Sequence, residues 1–230
     1  QESPSLLTPP SPGDVHNLRP ITLLPELGKL TSRLLARRFS RVVHEHEHIM
    51  DPAQRAHLFN GDSRQAIHAI LDACEDYREH AGTKELVIVS YDVRKAFDRV
   101  QRFSLEATCA RFGLPRSFTR LLLASLDGAK SSVRTYHGLT DEIDILTSVR
   151  QGDPMAALAF NLLMDALHAG FKANPLHTGN NRPRGYQLGD DKGPTIYSEG
   201  YADDTATASA SWEDARKQHD WVLELFTANH

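Results

Sequence analysis

Cysteine is scarce: Cys74 and Cys109 are the only two in 230 residues. That excludes a disulfide framework and a cysteine-rich zinc module, and makes a reducing compartment the expected setting. No apolar run is long enough to span a bilayer and no signal-peptide pattern opens the sequence, so no membrane partner is expected. A dominant charge sign is also lacking. The 26 Lys and Arg against 30 Asp and Glu leave −4, which excludes a wholesale basic surface but not a local one. What is present, 40% apolar and 24% charged residues, suffices for one compact unit or two lobes sharing a core. Because the first residue is Gln1, a piece of a longer chain is expected.

Residues 1–16 carry Pro4, Pro9, Pro10, Pro12 and Gly13 among serines, the composition of a disordered lead-in. Between Glu26 and His46, Leu27, Leu30, Leu34, Leu35, Val42 and Val43 recur at helical spacing, ahead of Pro52. A second amphipathic helix, with Ile67, Ile70, Leu71, Cys74 and Tyr77 on one face, is expected to end near Gly82. Leu86-Val87-Ile88-Val89 is then an unbroken apolar run, as in a strand buried on both faces. Helical patterns resume from Leu105 to Phe112, closed by Gly113, and from Pro115 to Leu126, closed by Gly128. Ser131–Tyr136 and Glu142–Val149 read as a hairpin turning at Gly138 and Asp141. Asp153 is placed as an N-cap with Pro154 at the first helical position, followed by Met155, Leu158, Ala159, Leu162, Leu163 and Ala166 on one face. A loop over 174–195, a β-segment over 196–209 and a helix from Ser211 complete the chain. Strands interleaved with helices favour an α+β fold.

Two acidic placements are costly. Asp92 leaves the apolar strand in Val89-Ser90-Tyr91-Asp92-Val93, and Asp203-Asp204 follows Tyr201-Ala202 inside a β-segment, where Asp is depleted. Taken singly, each could be an exposed turn or strand end. If the two segments are sheet neighbours, three carboxylates converge and require cations. Hard oxygen donors select Mg²⁺ or Mn²⁺, and two such ions about 4 Å apart serve in-line phosphoryl transfer.

At these residues the sequence resembles the reverse transcriptases. Tyr91-Asp92-Val93-Arg94-Lys95-Ala96-Phe97-Asp98-Arg99-Val100 is similar to their motif A, Val149-Arg150-Gln151-Gly152-Asp153-Pro154 to motif B, and Tyr201-Ala202-Asp203-Asp204 to motif C. Upstream, Arg19-Pro20-Ile21-Thr22-Leu23-Leu24 resembles the fingers motif. Four motifs in the family's order, over about 18–210, make a specific match, closest in form to the non-LTR (LINE-type) branch with group II intron enzymes as relatives. The resemblance implies a polymerase palm over 86–230, an antiparallel RRM-like βαββαβ sheet with helices on one face. Partial fingers would occupy 17–85 of the same domain, and the thumb would be missing.

It also implies roles. Asp92, Asp203 and Asp204 would be catalytic and, with Val93, would ligate two Mg²⁺ ions, for which Mn²⁺ can substitute. Arg19, Val93, Arg94, Lys95, Ala96, Phe97, Gln151 and Gly152 would hold the incoming nucleotide, with Phe97 as a steric gate against the ribose 2′-OH. Asp98 would stabilise the turn into the next helix. The implied partners are an RNA template, a DNA or RNA primer and dNTPs, with Arg150 and Tyr201 facing nucleic acid. Departures from the family pattern are Ala156-Ala157 in place of Ser-Pro, and Ser148 where Gly is common. The sequence ends at His230, where the family continues into motif D and the thumb, so the expected piece is fingers and palm.

Other features compete. His44-Glu45-His46-Glu47-His48 matches the H-E-x-x-H zinc-peptidase pattern, but its neighbours are charged, unlike a buried zincin helix. Gly189-Asp190-Asp191 mimics the Gly-Asp-Asp of RNA-dependent RNA polymerases but lies in loop sequence, not a hairpin, and reads as a turn. Lys29, Arg33, Arg37 and Arg41 at i, i+4 spacing form either a solvated face or a contact for template and primer phosphates. Trp212, Trp221, Val222, Leu225 and Phe226 read as core packing of the last helix. A reverse-transcriptase-like domain that binds RNA or protein without polymerising stands as the alternative to the enzyme.

Overall fold

The helical periodicities become six helices among the residues that the computed structural model describes, 22–46, 49–56, 61–80, 82–145, 147–150, 152–190 and 192–228. The lead-in, Arg19, His48 and Gln151 lie outside them. Helix α1 (Glu26–Glu45) and α2 (Ser63–Glu79) precede strand β1 (Val87–Tyr91); α3 (Arg102–Arg111) and α4 (Arg116–Ala124) follow. Four two-residue strands come next: β2 (Lys130–Ser131), β3 (Arg134–Thr135), β4 (Gly138–Leu139) and β5 (Ile143–Asp144). Helix α5 (Pro154–Ala173), β6 (Tyr186–Gln187), β7 (Thr195–Ile196), β8 (Ser198–Tyr201), β9 (Asp204–Ser209) and α6 (Trp212–Ala228) complete the order. The starts are chemically marked. Asp62 accepts from the Arg64 amide at α2, Asp153 from the Met155 amide at α5, and Ser211 from the Asp214 amide at α6.

The central sheet has three antiparallel strands in the order β1-β9-β8. One face packs on α5 and α6: His168 of α5 meets Ser198, Gln218 of α6 accepts from Ser209, and Tyr91 stacks on His219 at 5.9 Å. That face shares one core with α1, α3 and α4, through Phe39, Val43, Leu105, Leu122, Leu158 and Phe171. The other face is also covered. Ala73 and Ile70 of α2 join Ala208, Tyr186 and Ile196 in a second cluster. Helices therefore flank both faces: α5 and α6, which follow residue 86, lie on one, and α2, from the 17–85 segment, covers the other.

Three readings are corrected. β1 alternates between half-buried and exposed, with Ile88 39% exposed, because it is the edge strand and α2 lies chiefly over β8 and β9. The hairpin at 131–149 is broken into two-residue ladders, β2 with β5 and β3 with β4, and residues 147–149 leave it to run beside motif A. Trp212 is 74% exposed, whereas Trp221, Val222, Leu225 and Phe226 of that helix pack on the core. Of the six apolar residues read on α1, Leu27, Leu30, Leu34 and Val42 are exposed, and only Leu35 and Val43 pack on the core.

Candidate active site

The register of the sheet brings the acidic residues to one end. β1 and β9 pair from Val87↔Ser209 to Tyr91↔Thr205, so Asp92 is the next residue past β1 and Asp204 the first of β9, one step beyond the last pair. β8 and β9 close at Tyr201↔Asp204, which leaves Ala202 and Asp203 as the two-residue tip. Ala202 has φ 58°, in the left-handed region that favours Gly at the first position of a tight hairpin turn. Its amide and carbonyl are held by the buried side chain of Gln54, 3.1 Å in each case. No motif pointed to Gln54.

The carboxylates are accessible: Asp92 and Asp204 are exposed and Asp203 half-buried. Among the described residues none of the three pairs with a Lys, Arg or His, and none of their side chains forms a hydrogen bond. As the side chains stand they do not converge. Asp92 lines a cleft of about 420 Å³ beside Phe160, Met164 and Phe226, Asp204 lines another beside α2, and no three His, Cys, Asp or Glu among the described residues form a metal-ligand set. The donor chemistry nonetheless fits a hard divalent cation: carboxylate oxygens only, on adjoining chain segments. Among the described residues, no side-chain hydrogen bond or ion pair holds Asp92 or Asp204 in its present orientation.

Motif A leaves β1 through Lys95, at φ 54°, into a single turn at Phe97–Arg99. The Phe97 ring stacks on Phe160 of α5 with centroids 4.5 Å apart and planes 18° apart, a contact worth about 0.5–1.5 kcal/mol beyond its burial. Motif B is fastened to this turn by backbone. Val149 donates to Phe97 O at 2.9 Å, Ser148 to Val100 O at 3.0 Å, and the Thr147 hydroxyl to Asp98 O at 3.1 Å. Asp98 thus serves the turn through its backbone, and its carboxylate makes no hydrogen bond among the described residues. Ser148 sits at φ 94°, which accounts for the family's use of Gly there. Gly152 has φ 102°, and a Cβ there would lie 3.2 Å from the Thr22 carbonyl.

The buried Ser32 hydroxyl donates to Asp153 and accepts from the Met155 amide, locking α1 onto the start of α5. Lys29, Arg33, Arg37 and Arg41 all remain exposed on α1, and none has an ion-pair partner among the described residues. Arg150 is partly committed: its guanidinium donates to Ser125 O at 2.6 Å. Under β8, burial holds the His168 imidazole at a pKa of about 4, and its Nδ1 meets Ser198 Oγ at 2.9 Å. The neutral ring fills the space beneath Gly200, where an added Cβ would come within 2.6 Å of Nε2.

α1 ends at Glu45, one residue past His44, and His48 lies outside the described residues. Gly189-Asp190 lies in a turn, as expected, but that turn joins β6 and β7 in a short hairpin, contrary to the expectation of plain loop. The hairpin is anchored to α2 by Asp76, which accepts from the Gly189 amide.

The family model described as "Reverse transcriptase (RNA-dependent DNA polymerase)" matches residues 10–229. Among curated relatives, the Pol polyprotein from the type-1 retrotransposable element R2 of Popillia japonica is 31% identical over 199 residues, 85% of this chain. That from element R2DM of Drosophila melanogaster is 27% identical over 167 residues, 71% of the chain. The chain spans only 26% and 15% of these two relatives. Two solved telomerase structures share the fold. That of Candida albicans, in complex with a fragment of telomeric RNA, has a TM-score of 0.58 at 12% identity, covering 86% of this chain and 32% of that one. The C-terminally truncated apo enzyme of Candida tropicalis has a TM-score of 0.57 at 11% identity, covering 85% and 37%.

Proposed function

The chain belongs to the reverse transcriptase family, and from that premise we propose that it is the fingers-and-palm part of an RNA-directed DNA polymerase of the non-LTR retrotransposon type. The observation that carries the proposal is the antiparallel register that puts Asp92 beside the Asp203-Asp204 hairpin at one end of the sheet. Residues 17–85 contribute the fingers and 86–230 the palm. The substrates are dNTPs, and the partners are an RNA template and a DNA or RNA primer.

Asp92, Asp203, Asp204 and the Val93 carbonyl would hold two Mg²⁺ ions, with Mn²⁺ as a substitute. When bound, these ions supply the Lewis acidity that favours attack by the primer 3′-OH and departure of pyrophosphate. The chain's own residues do the positioning. The backbone of Val93 to Ala96, with Arg94, faces the triphosphate, and Arg19 contacts its phosphates. Phe97, backed by Phe160, sits under the sugar and excludes a 2′-OH. Gln151 and Gly152 line the nucleotide and template side, the glycine allowing close backbone approach. The exposed stripe of Lys29, Arg33, Arg37 and Arg41 meets the phosphate backbone, with Arg150 and Tyr201 nearer the template.

The deciding experiment is primer extension on poly(rA)/oligo(dT) with Asp203→Asn in the longest chain that carries this domain. Extension is expected to fall below detection while the thermal unfolding curve is retained. An Asp203→Asn protein that still extends the primer overturns the assignment. An unsubstituted protein that binds RNA but never extends a primer makes this a non-polymerising binding domain.

A further inference from the structure

Gln54 lies in a segment without regular secondary structure, yet it is 1% exposed and both its amide oxygen and its amide nitrogen are hydrogen-bonded. Oε1 accepts from the Ala202 amide at 3.1 Å and from the Ala56 amide at 3.2 Å, and Nε2 donates to the Ala202 carbonyl at 3.1 Å. A primary amide that takes both the N–H and the C=O of one residue does the work of a neighbouring strand. At Ala202 no strand is available, because the β8–β9 ladder ends at Tyr201↔Asp204.

The segment around Gln54 is built to deliver this contact. Gly200 donates to Ala53 O at 2.8 Å and Arg55 donates to Gly200 O at 3.0 Å, so the segment runs beside β8 as a parallel bridge. The Arg55 guanidinium closes on Glu199 at 3.2 Å. From the opposite side, Asn161 of α5 donates to the Ala56 carbonyl, and Asp165 of α5 accepts from the Asp51 amide. The segment is thus fixed at both ends before Gln54 reaches the tip.

Ala202 needs such a hold. At φ 58° it sits where a side chain crowds the backbone, and the next residue is Asp203. Relaxation of Ala202 would rotate the peptide that carries Asp203 and shift its carboxylate relative to Asp92. We infer that Gln54 is a positioning residue for this site: it holds Ala202 in the left-handed conformation and so aims the Asp203 carboxylate. What the tip does rests on the proposed polymerase reading.

The test compares the unsubstituted chain with Gln54→Met, which keeps length and volume but leaves both Ala202 groups without partners, and with Gln54→Glu, which keeps an acceptor for the Ala202 amide. For Gln54→Met, kcat for primer extension is expected to fall about 10- to 100-fold, the scale of a misplacement near 1 Å, with KM for dNTP nearly unchanged. Mn²⁺ binding, followed by electron paramagnetic resonance without turnover, is expected to weaken several-fold, and Gln54→Glu to fall in between. A merely structural role predicts instead that kcat falls only in proportion to the folded fraction, with wild-type Mn²⁺ affinity in the folded remainder. That result overturns the inference, as does a wild-type kcat in Gln54→Met. If Gln54→Met does not fold, Gln54→Glu decides by the same two readings. If the unsubstituted chain binds Mn²⁺ but extends no primer, the polymerase reading fails alone and Mn²⁺ affinity in the variants decides on Gln54. If it binds no Mn²⁺, both fail.

Discussion

Replacing Asp76 with Asn should cost the fold a pH-dependent share of its stability. Its carboxylate accepts three bonds of 2.7 Å, from Lys84 Nζ, the Tyr186 hydroxyl and the Gly189 amide, with its side chain 11% exposed. Burial pushes the carboxyl up, but these three donors outweigh it and hold the pKa at about 2, against 3.8 for the free group. The folded state therefore binds this proton less tightly than the unfolded chain. The stabilisation is present in full above pH 3.8 and is lost as the pH falls toward 2. The gap of somewhat under two pH units corresponds to roughly 2 kcal/mol at neutral pH.

Lys84 would not be stranded in Asp76→Asn, because it also donates to the Gln187 and Gly189 carbonyls. The larger cost of about 3–5 kcal/mol for a buried charge left unpaired therefore does not apply. Thermal unfolding by circular dichroism should give a Tm lower by about 4–8 °C in Asp76→Asn at pH 7. That difference should shrink sharply by about pH 2.5, where the wild-type carboxyl is itself being protonated. A Tm difference independent of pH would refute the reasoning, since the loss would then come from packing and not from the charge.

Two further outcomes concern the site. Phe97→Ala should lower dNTP-over-rNTP selectivity by at least about ten-fold, the scale of a lost pocket contact, and unchanged selectivity removes the gate role. Replacing Lys29, Arg33, Arg37 and Arg41 with Gln should flatten the plot of log affinity against log salt by about 3 for RNA or primer–template duplex. An unaltered slope leaves the stripe as a solvated face.

Local motifs were more legible in the sequence than packing. Asp92, Asp203 and Asp204 sit in contiguous motifs, and Asp153-Pro154 carries a local capping signal, so both could be read from neighbours along the chain. The unbroken Leu86–Val89 run could not reveal that one face of β1 is left open, because that depends on α2 landing over β8 and β9, not on β1 itself. α2 placed on the second face of the sheet was invisible for the same reason. Gln54 had no local signature at all: its partner is 148 residues away, and a glutamine beside Pro52 and Arg55 reads as surface. A buried polar side chain is recognisable only from the groups it satisfies. The Ser148 departure worked the other way, since its positive φ makes sense of a glycine preference that had been only a pattern.

The three bonds that tie residues 147–149 to residues 97–100 make the Phe97 turn and the loop before α5 one mechanical unit. On the proposed reading, the part that inspects the sugar and the part that faces the template cannot shift separately. Substitutions in the two should then act non-additively on fidelity, and an insertion in either would re-aim both. Selection on the sugar and selection on the template are, in this architecture, selection on one object.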